Sequence, residues 1–421
     1  MTPVTLVLIC GDHNLYFDLR RQCVLREMPG PLLVLANRAS AVVLEEACPG
    51  LEIRRVQWSD EDRLLEEVLE LARTRLLAAV STANEGLMDL AGRIRAGLGL
   101  PGMGPRLVAR FRDKLLMKQL LDARGMRVPA YARCDARAAV EALLARHRKL
   151  VLKPVDELGS RGVSFVSSHA ELDAWYAQGH ALSRFEAEEF IDGAMYHVNS
   201  VVRGGAVLLS ASALYLPGMA SIDFHRGTPL VTVMVEDAEL TRRLAAYSRQ
   251  VLDVLGLADG VAHLECFVTA DGEIVLCEVA ARPPGAGIVQ MIEAQYGLHV
   301  TRAQLLLDSG HGAGLEPVAP RPGVAGLMAF RTARGGTIRE IAAGADFAEP
   351  WIGMVSLPFG SGSIVRAARM SSDVLGLLIF SGASHAEFMA RRALLQQRFD
   401  DSLVLDPVAR SAPRAALQEV V

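Results

Sequence analysis

The sequence predicts a mixed α/β chain, with a small parallel-sheet domain first and antiparallel, α+β architecture after it. Three patterns carry this reading. Apolar strand runs alternate with helical segments up to residue 105, a strand–glycine loop–strand unit follows at 150–167, and an Asp-Gly hairpin lies at 263–279.

The first element is the run Val4–Cys10, which stops at Gly11-Asp12. It is too short to span a membrane and lacks a signal-peptide layout, so it reads as a buried strand. Leu32–Ala36, Ile53–Val56 and Leu76–Val80 are the next strands, with Asp60–Thr74 as an intervening helix. The last strand leads into Ser81-Thr82-Ala83-Asn84-Glu85, at the carboxyl edge where open α/β sheets place ligands. Glu85 is therefore a substrate-contact candidate, although an acidic residue opening a helix reads the same way. Leu100–Pro105 punctuates the chain and bounds a domain of residues 1–105.

Asp113–Arg124 is helical and stops at Gly125, and a second helix ends near Lys149. Strand Leu150–Lys153 then enters the loop Asp156–Gly162, and Val163–Ser167 resumes as a strand. The loop is neither a Walker P-loop nor a dinucleotide fingerprint, but its backbone N–H groups can lie over phosphates. Ser309–Gly314 and the prolines through Pro322 read as a linker, followed by short strands and a helix from His385 to Arg398. The tail from Asp406 reads as disordered.

At 421 residues, 51% apolar and 22% charged, the chain is long enough for about three domains with full cores. A net charge of −4 without a basic block argues against nucleic-acid binding. Six cysteines (10, 23, 48, 134, 266 and 277) show no C-x-x-C spacing, which indicates free thiols and a cytoplasmic protein. Of 44 basic residues only Lys114, Lys118, Lys149 and Lys153 are lysines. A lysine is a compact point charge on a flexible stem that reaches a phosphate as a single contact. Lys114 and Lys153 suit a nucleotide site, while Lys118 and Lys149 read as solvated helix faces.

The hairpin is the most specific local signal. His263–Val268 and Ile274–Val279 alternate in polarity around Asp271-Gly272. A two-residue loop there pairs positions whose numbers sum to 543, as 265 and 278 do. Glu265 and Glu278 then face each other with Cβ atoms about 4.5–5.5 Å apart, on the face carrying His263 and Phe267. Ala262, Leu264, Cys266 and Val268 face Val275, Cys277 and Val279 on the apolar reverse side, with Cys266 opposite Cys277 as a packed thiol pair. Like charges directly opposite are destabilising, and a divalent ion removes the repulsion. Two exposed glutamates repelling across a surface hairpin are the plain alternative. Arg282 continues in phase with Glu278, where a guanidinium can neutralise a transferring phosphoryl group.

In order and spacing these residues resemble the ATP-grasp superfamily, within it the carboxylate–amine ligases of the amino-acid (dipeptide) ligase type. Phe111–Lys114 with Met117-Lys118 resembles its first lysine motif, and Val151–Pro154 the second. Gly159-Ser160-Arg161-Gly162 resembles the loop covering phosphates, and Glu188–Gly193 the adenine hinge. His263-x-Glu265 with Glu278-x-x-x-Arg282-x-x-Gly285 resembles the metal and phosphoryl site. The resemblance implies a two-lobed ATP-grasp domain over 106–310 (lobes 106–187 and 188–310) and a C-terminal lid subdomain and tail over 311–421.

The resemblance further implies that Lys114 and Lys153 bind the α- and β-phosphates of ATP. Glu188 would take the adenine amino group, and Glu189, Phe190 and Ile191 would form the hinge. Glu265 and Glu278 would hold Mg²⁺, or Mn²⁺. Arg282 would stabilise the acyl-phosphate transition state, and His263 would orient substrate or support Glu265, or be a satisfied half-buried histidine. Two positions depart from the pattern. Met195 stands where a ribose-binding acid is common, leaving Asp192 or Asn199 to substitute, and Ala280 stands where an Asn ligand is usual.

The implied function is ATP-dependent amide-bond formation between a carboxylate and an amine, both small molecules of the amino-acid kind. The alternatives are a carboxylase- or ribonucleotide-type ATP-grasp enzyme, and a nucleotide-binding regulatory module without catalysis. Ala213–Pro229, with Asp223, His225 and Arg226, reads as a lid or as an ordinary surface loop. No membrane partner is expected, and a homodimer is one of the open oligomeric states.

Overall fold

The computed structural model describes residues 2–407 except 158, 160, 220–222, 224, 225 and 369–372. At the N-terminus β1 (Val4–Ile9), β2 (Leu32–Ala36), β3 (Glu52–Arg55) and β4 (Leu77–Thr82) form a parallel sheet of order β3-β2-β1-β4. β1 and β2 are buried throughout, which is why they read as continuous apolar runs. Helices α1 (Arg38–Ala47), α2 (Glu61–Leu71) and α3 (Met88–Leu98) flank it. Asn37 and Asp60 start the first two by accepting backbone N–H bonds from Ser40 and Arg63. Gly99, at φ +64°, ends the third in a left-handed cap.

α4 (Pro105–Arg112) and α5 (Lys114–Asp122) meet at Asp113, which ends one helix and caps the next. A second sheet follows in the order β5-β8-β6-β7, from β5 (Tyr131–Arg133), β6 (Leu150–Pro154), β7 (Ser164–Val166) and β8 (Phe185–Glu189). α6 (Arg137–His147) and α7 (His169–Tyr176) cover it, burying Val140, Leu144, Leu152, Leu172 and Trp175 together. β6 and β7 are antiparallel, as the glycine-loop reading requires.

The third sheet is built from β9 (Gly193–Arg203), β10 (Ala206–Tyr215), β11 (Leu230–Met234), β12 (Gly260–Thr269), β13 (Ile274–Ala280) and β14 (Val324–Phe330). Beyond β15 (Gly336–Glu340), β16 (Ile352–Ser356), β17 (Ile364–Val365) and β18 (Gly376–Gly382), the last strand is β19 (Val404–Asp406). The large sheet runs β13-β12-β9-β10-β11-β14-β18-β16, so strands on both sides of residue 310 share it. α8 (Ala238–Leu255) packs Leu244, Val251, Leu252 and Leu255 on one face, at the spacing of an amphipathic helix. α9 (Ile288–Tyr296), α10 (Val300–Asp308) and α11 (His385–Ser402) complete the fold. Among the described residues of the predicted linker, only Gly312–Gly314 forms a helical turn. The tail from residue 408 lies outside the described residues.

The hairpin departs from its expected turn. Thr269 N bonds Glu273 O at 3.0 Å, and only Gly272 has positive φ, at +84°. This is a three-residue loop ending in a left-handed glycine, because Asp271 does not adopt the positive φ that a two-residue turn of type I′ needs. Near the turn the pairs sum to 542: Val268 with Ile274, Phe267 with Val275, and Cys266 with Leu276. A one-residue bulge at Cys277 then restores 543, pairing Glu265 with Glu278 and His263 with Ala280. A one-residue slip exchanges faces. Leu276 therefore joins the core with Leu264, Cys266 and Val279, and the expected Cys266–Cys277 pairing does not occur.

Candidate active site

Asp113 accepts the N–H groups of Leu115 and Leu116, which fixes Lys114 at the start of α5. Its ammonium lies 3.1 Å from Glu278 Oε2 and donates to Glu157 O at 3.0 Å. Burial, the largest influence, would lower the Lys114 pKa, but the Glu278 and Glu85 carboxylates together outweigh it and the net shift is upward. Lys153 on β6 lies 2.6 Å from Glu188 Oε1 and 4.0 Å from Glu186 Oε1. Burial is again the largest influence and disfavours its charge, yet Glu188, Cys277, Glu186 and Glu278 together carry the net shift upward.

Lys118 is not on a solvated face. It is 1% exposed, with Nζ 2.6 Å from Glu186 Oε1 and 2.8 Å from Glu188 Oε2. Four residues beyond Lys114 it occupies the same helix face one turn on, and Glu186 and Glu188 share one face of β8. Two ammoniums and two carboxylates thus form a buried, charge-balanced cluster, which compensates the cost of desolvating each. The fourth lysine also departs from a plain solvated face: Lys149 Nζ sits 3.5 Å from the Phe190 ring centroid and 5.5 Å from that of Phe165.

The hinge candidates are the last two residues of β8 and the two that follow it. Glu188 is engaged by both lysines, and Glu189 binds Arg127 at 2.8 Å and Ala130 N at 3.1 Å. Phe190 N donates to Lys149 O, and Ile191 is buried. Gly159 and Gly162 have φ of +63° and +72°, and a Cβ on Gly162 would sit 3.0 Å from the Pro154 ring. Ser160 lies outside the described residues, as does His225 of the lid candidate. Gly227 of that loop is pressed against Ala333, whose backbone N would be 2.3 Å from a Cβ there.

Glu265 and Glu278 are paired across β12 and β13. Burial would raise the Glu278 carboxyl, but Lys114 and Lys153 pull it down to about 2, so it is ionised. Glu265 Oε1 accepts Tyr215 Oη at 2.9 Å and lies 3.5 Å from His263 Nε2. The bulge re-aims Cys277: its thiol is pushed well up by burial and interacts electrostatically with Lys153, Glu278 and Glu188. Arg282 Nε donates to Glu85 Oε2 at 2.8 Å, and Arg112 donates to Glu85 Oε1 at 3.0 Å. Glu85 thus reaches the group from the N-terminal sheet. Met195 is half-buried against the largest core cluster. Asn199 is fully buried with its amide bonded to His197, His263 and Ala211 O, so it is closed to a ribose, whereas Asp192 is exposed.

Lys118, Glu186, Tyr215 and Arg112 had no expected role in this group, although Lys118 and Arg112 lie within the first lysine motif. The rarity of lysine and the Glu-Ala-Glu alternation of β8 were the available signals for the first two; Tyr215 had none.

Residues 111–286 match the family model for the ATP-grasp domain. The L-arginine-specific L-amino acid ligase of Bacillus subtilis is 24% identical over 370 residues, covering 81% of this chain and 86% of that protein. The alanine–anticapsin ligase of Bacillus subtilis is 25% identical over 285 residues, 60% of this chain and 59% of that one. The crystal structure of an L-amino acid ligase from Bacillus licheniformis superposes with a TM-score of 0.74 at 20% identity, covering 97% of this chain and 100% of the other. Residues 111–286 thus form an ATP-grasp domain, in a chain that is similar over most of its length to L-amino acid ligases.

Proposed function

We propose that the chain is an ATP-dependent ligase that joins the carboxylate of an amino acid to an amine, through an acyl phosphate, with release of ADP and phosphate. The observation that carries this reading is the convergence of Lys114, Lys153, Glu265, Glu278 and Arg282 on one site, with Glu85 contributed by the N-terminal sheet.

Among the described residues, no group of three or more His, Cys, Asp and Glu side chains could hold a metal. Two facing carboxylates fit Mg²⁺ nonetheless, because that ion is commonly held by one or two carboxylates plus nucleotide phosphates and water. Glu265 and Glu278 would hold it, and the bound ion would neutralise charge developing on the phosphoryl oxygens. Ala280 offers no further ligand.

Lys114 and Lys153 supply point charges to the phosphates, and Glu188 and Glu278 hold their ammonium groups in place. Residues 188–191 form the adenine hinge, and Gly159 and Gly162 lie over the phosphates. Arg282, oriented by Glu85, stabilises the transferring phosphoryl group. The substrate carboxylate attacks the γ-phosphate, the amine attacks the resulting carbonyl carbon, and phosphate leaves. Catalysis is mostly positioning and charge neutralisation. The substrates are small molecules, free cysteines suit a cytoplasmic protein, and no helix among the described residues is long and apolar enough to cross a membrane.

The experiment is phosphate release with ATP, Mg²⁺ and pairs of amino acids. Release that depends on both a carboxylate and an amine supports the reading, and Glu278→Gln should remove it. Silence across a broad panel contradicts it and favours a module that binds nucleotide without turnover.

A further inference from the structure

A chain of buried side chains crosses the large sheet behind Glu265. His263 Nδ1 lies 2.8 Å from Asn199 Oδ1, and Asn199 Nδ2 lies 2.9 Å from His197 Nδ1. His197 Nε2 lies 2.8 Å from Thr232 Oγ1. His197, Asn199 and Thr232 are fully buried, on β9 and β11.

Two backbone carbonyls fix the direction of every bond. Thr232 Oγ1 donates its single hydrogen to Leu214 O at 2.9 Å, so it must accept from His197 Nε2–H. His197 Nδ1 is then a lone pair that accepts from Asn199 Nδ2. The second Nδ2 hydrogen points to Ala211 O at 3.4 Å, and a flipped amide would set two carbonyl oxygens against each other there. Asn199 Oδ1 therefore accepts from His263 Nδ1–H. A neutral His263 is left with an Nε2 lone pair, 3.5 Å from Glu265 Oε1. Two acceptors thus face one another in a gap that suits a donor.

We propose that His197, Asn199 and Thr232 are positioning residues that lock His263 in its Nδ1–H tautomer, so that Nε2 accepts a hydrogen bond from the N–H of the amine substrate. The proposal deepens the ligase reading and rests on it for the identity of the donor. The chain's polarity does not, since carbonyls remote from the substrates set it.

The test uses the full chain labelled with [¹⁵N]histidine, its ring signals assigned with His263→Gln and His197→Gln. The expected spectrum shows His263 as Nδ1–H and His197 as Nε2–H. His263 as Nε2–H, or as the doubly protonated cation at mildly alkaline pH, overturns the proposal. Asn199→Leu should release the tautomer and raise the KM for the amine about tenfold, while the KM for ATP moves less than about twofold. Should that variant not fold, Thr232→Val is read the same way, with a smaller effect in the same direction. A released tautomer with an unchanged amine KM overturns the role at the amine. If no amine is turned over at all, the ligase reading has failed, while the wild-type spectrum still decides the polarity of the chain.

Discussion

Glu265 faces Glu278 because two irregularities cancel. The three-residue turn shifts the hairpin register by one, and the bulge at Cys277 shifts it back before the two carboxylates meet. The same bulge takes Cys277 away from Cys266, which pairs with Leu276. Mild oxidation followed by peptide mapping should yield no Cys266–Cys277 crosslink, and finding one would contradict the register.

Lys118 anchors the buried cluster. Lys118→Met leaves Glu186 with only the longer contact to Lys153, 4.0 Å away, and breaking a buried pair costs about 3–5 kcal/mol. Urea denaturation should show that loss, and adding Glu186→Met should recover most of it. A single variant as stable as the parent would place Lys118 in solvent after all.

Glu85 orients Arg282 and Arg112 from the N-terminal sheet. Glu85→Gln should lower kcat about 10–100-fold, the usual cost of losing an orienting partner, with little change in ATP affinity. Steady-state kinetics and calorimetry separate the two, and equal losses in both would argue against an orienting role.

Glu293 gives the stability a pH dependence. It accepts Leu19 N–H at 3.0 Å, and burial, with Asp18 beside it, pushes its carboxyl from the ordinary 4.5 up to about 7. The folded state then holds a proton that the unfolded state has lost, so this contribution is full below pH 4.5 and disappears as pH rises through 7. Denaturation midpoints should fall across that window in the parent and stay flatter in Glu293→Gln. Identical slopes would remove the assignment.

The parallel strands were legible because burial on both faces leaves an uninterrupted apolar run, as in Val4–Ile9. The start of α2 was written in Asp60, which opens the helical segment Asp60–Thr74 and caps it. The facing glutamates were legible from parity and the Asp-Gly signal, but the turn type and the bulge were not, since neither propensity nor spacing marks an inserted residue. Lys118 reads as a surface residue until β8 supplies Glu186. The buried histidine chain was out of reach for another reason. It depends on β9, β11 and β12 being brought together in one sheet, and sequence order does not show strand order.

The central claim is that Glu265 and Glu278 together hold a magnesium ion under the triphosphate. The most direct measurement is a crystal structure with Mg²⁺ and a non-hydrolysable ATP analogue. The account predicts carboxylate oxygens of both residues about 2.0–2.1 Å from the metal, with Lys114 and Lys153 on the phosphates. A triphosphate bound with its metal away from either glutamate would contradict it.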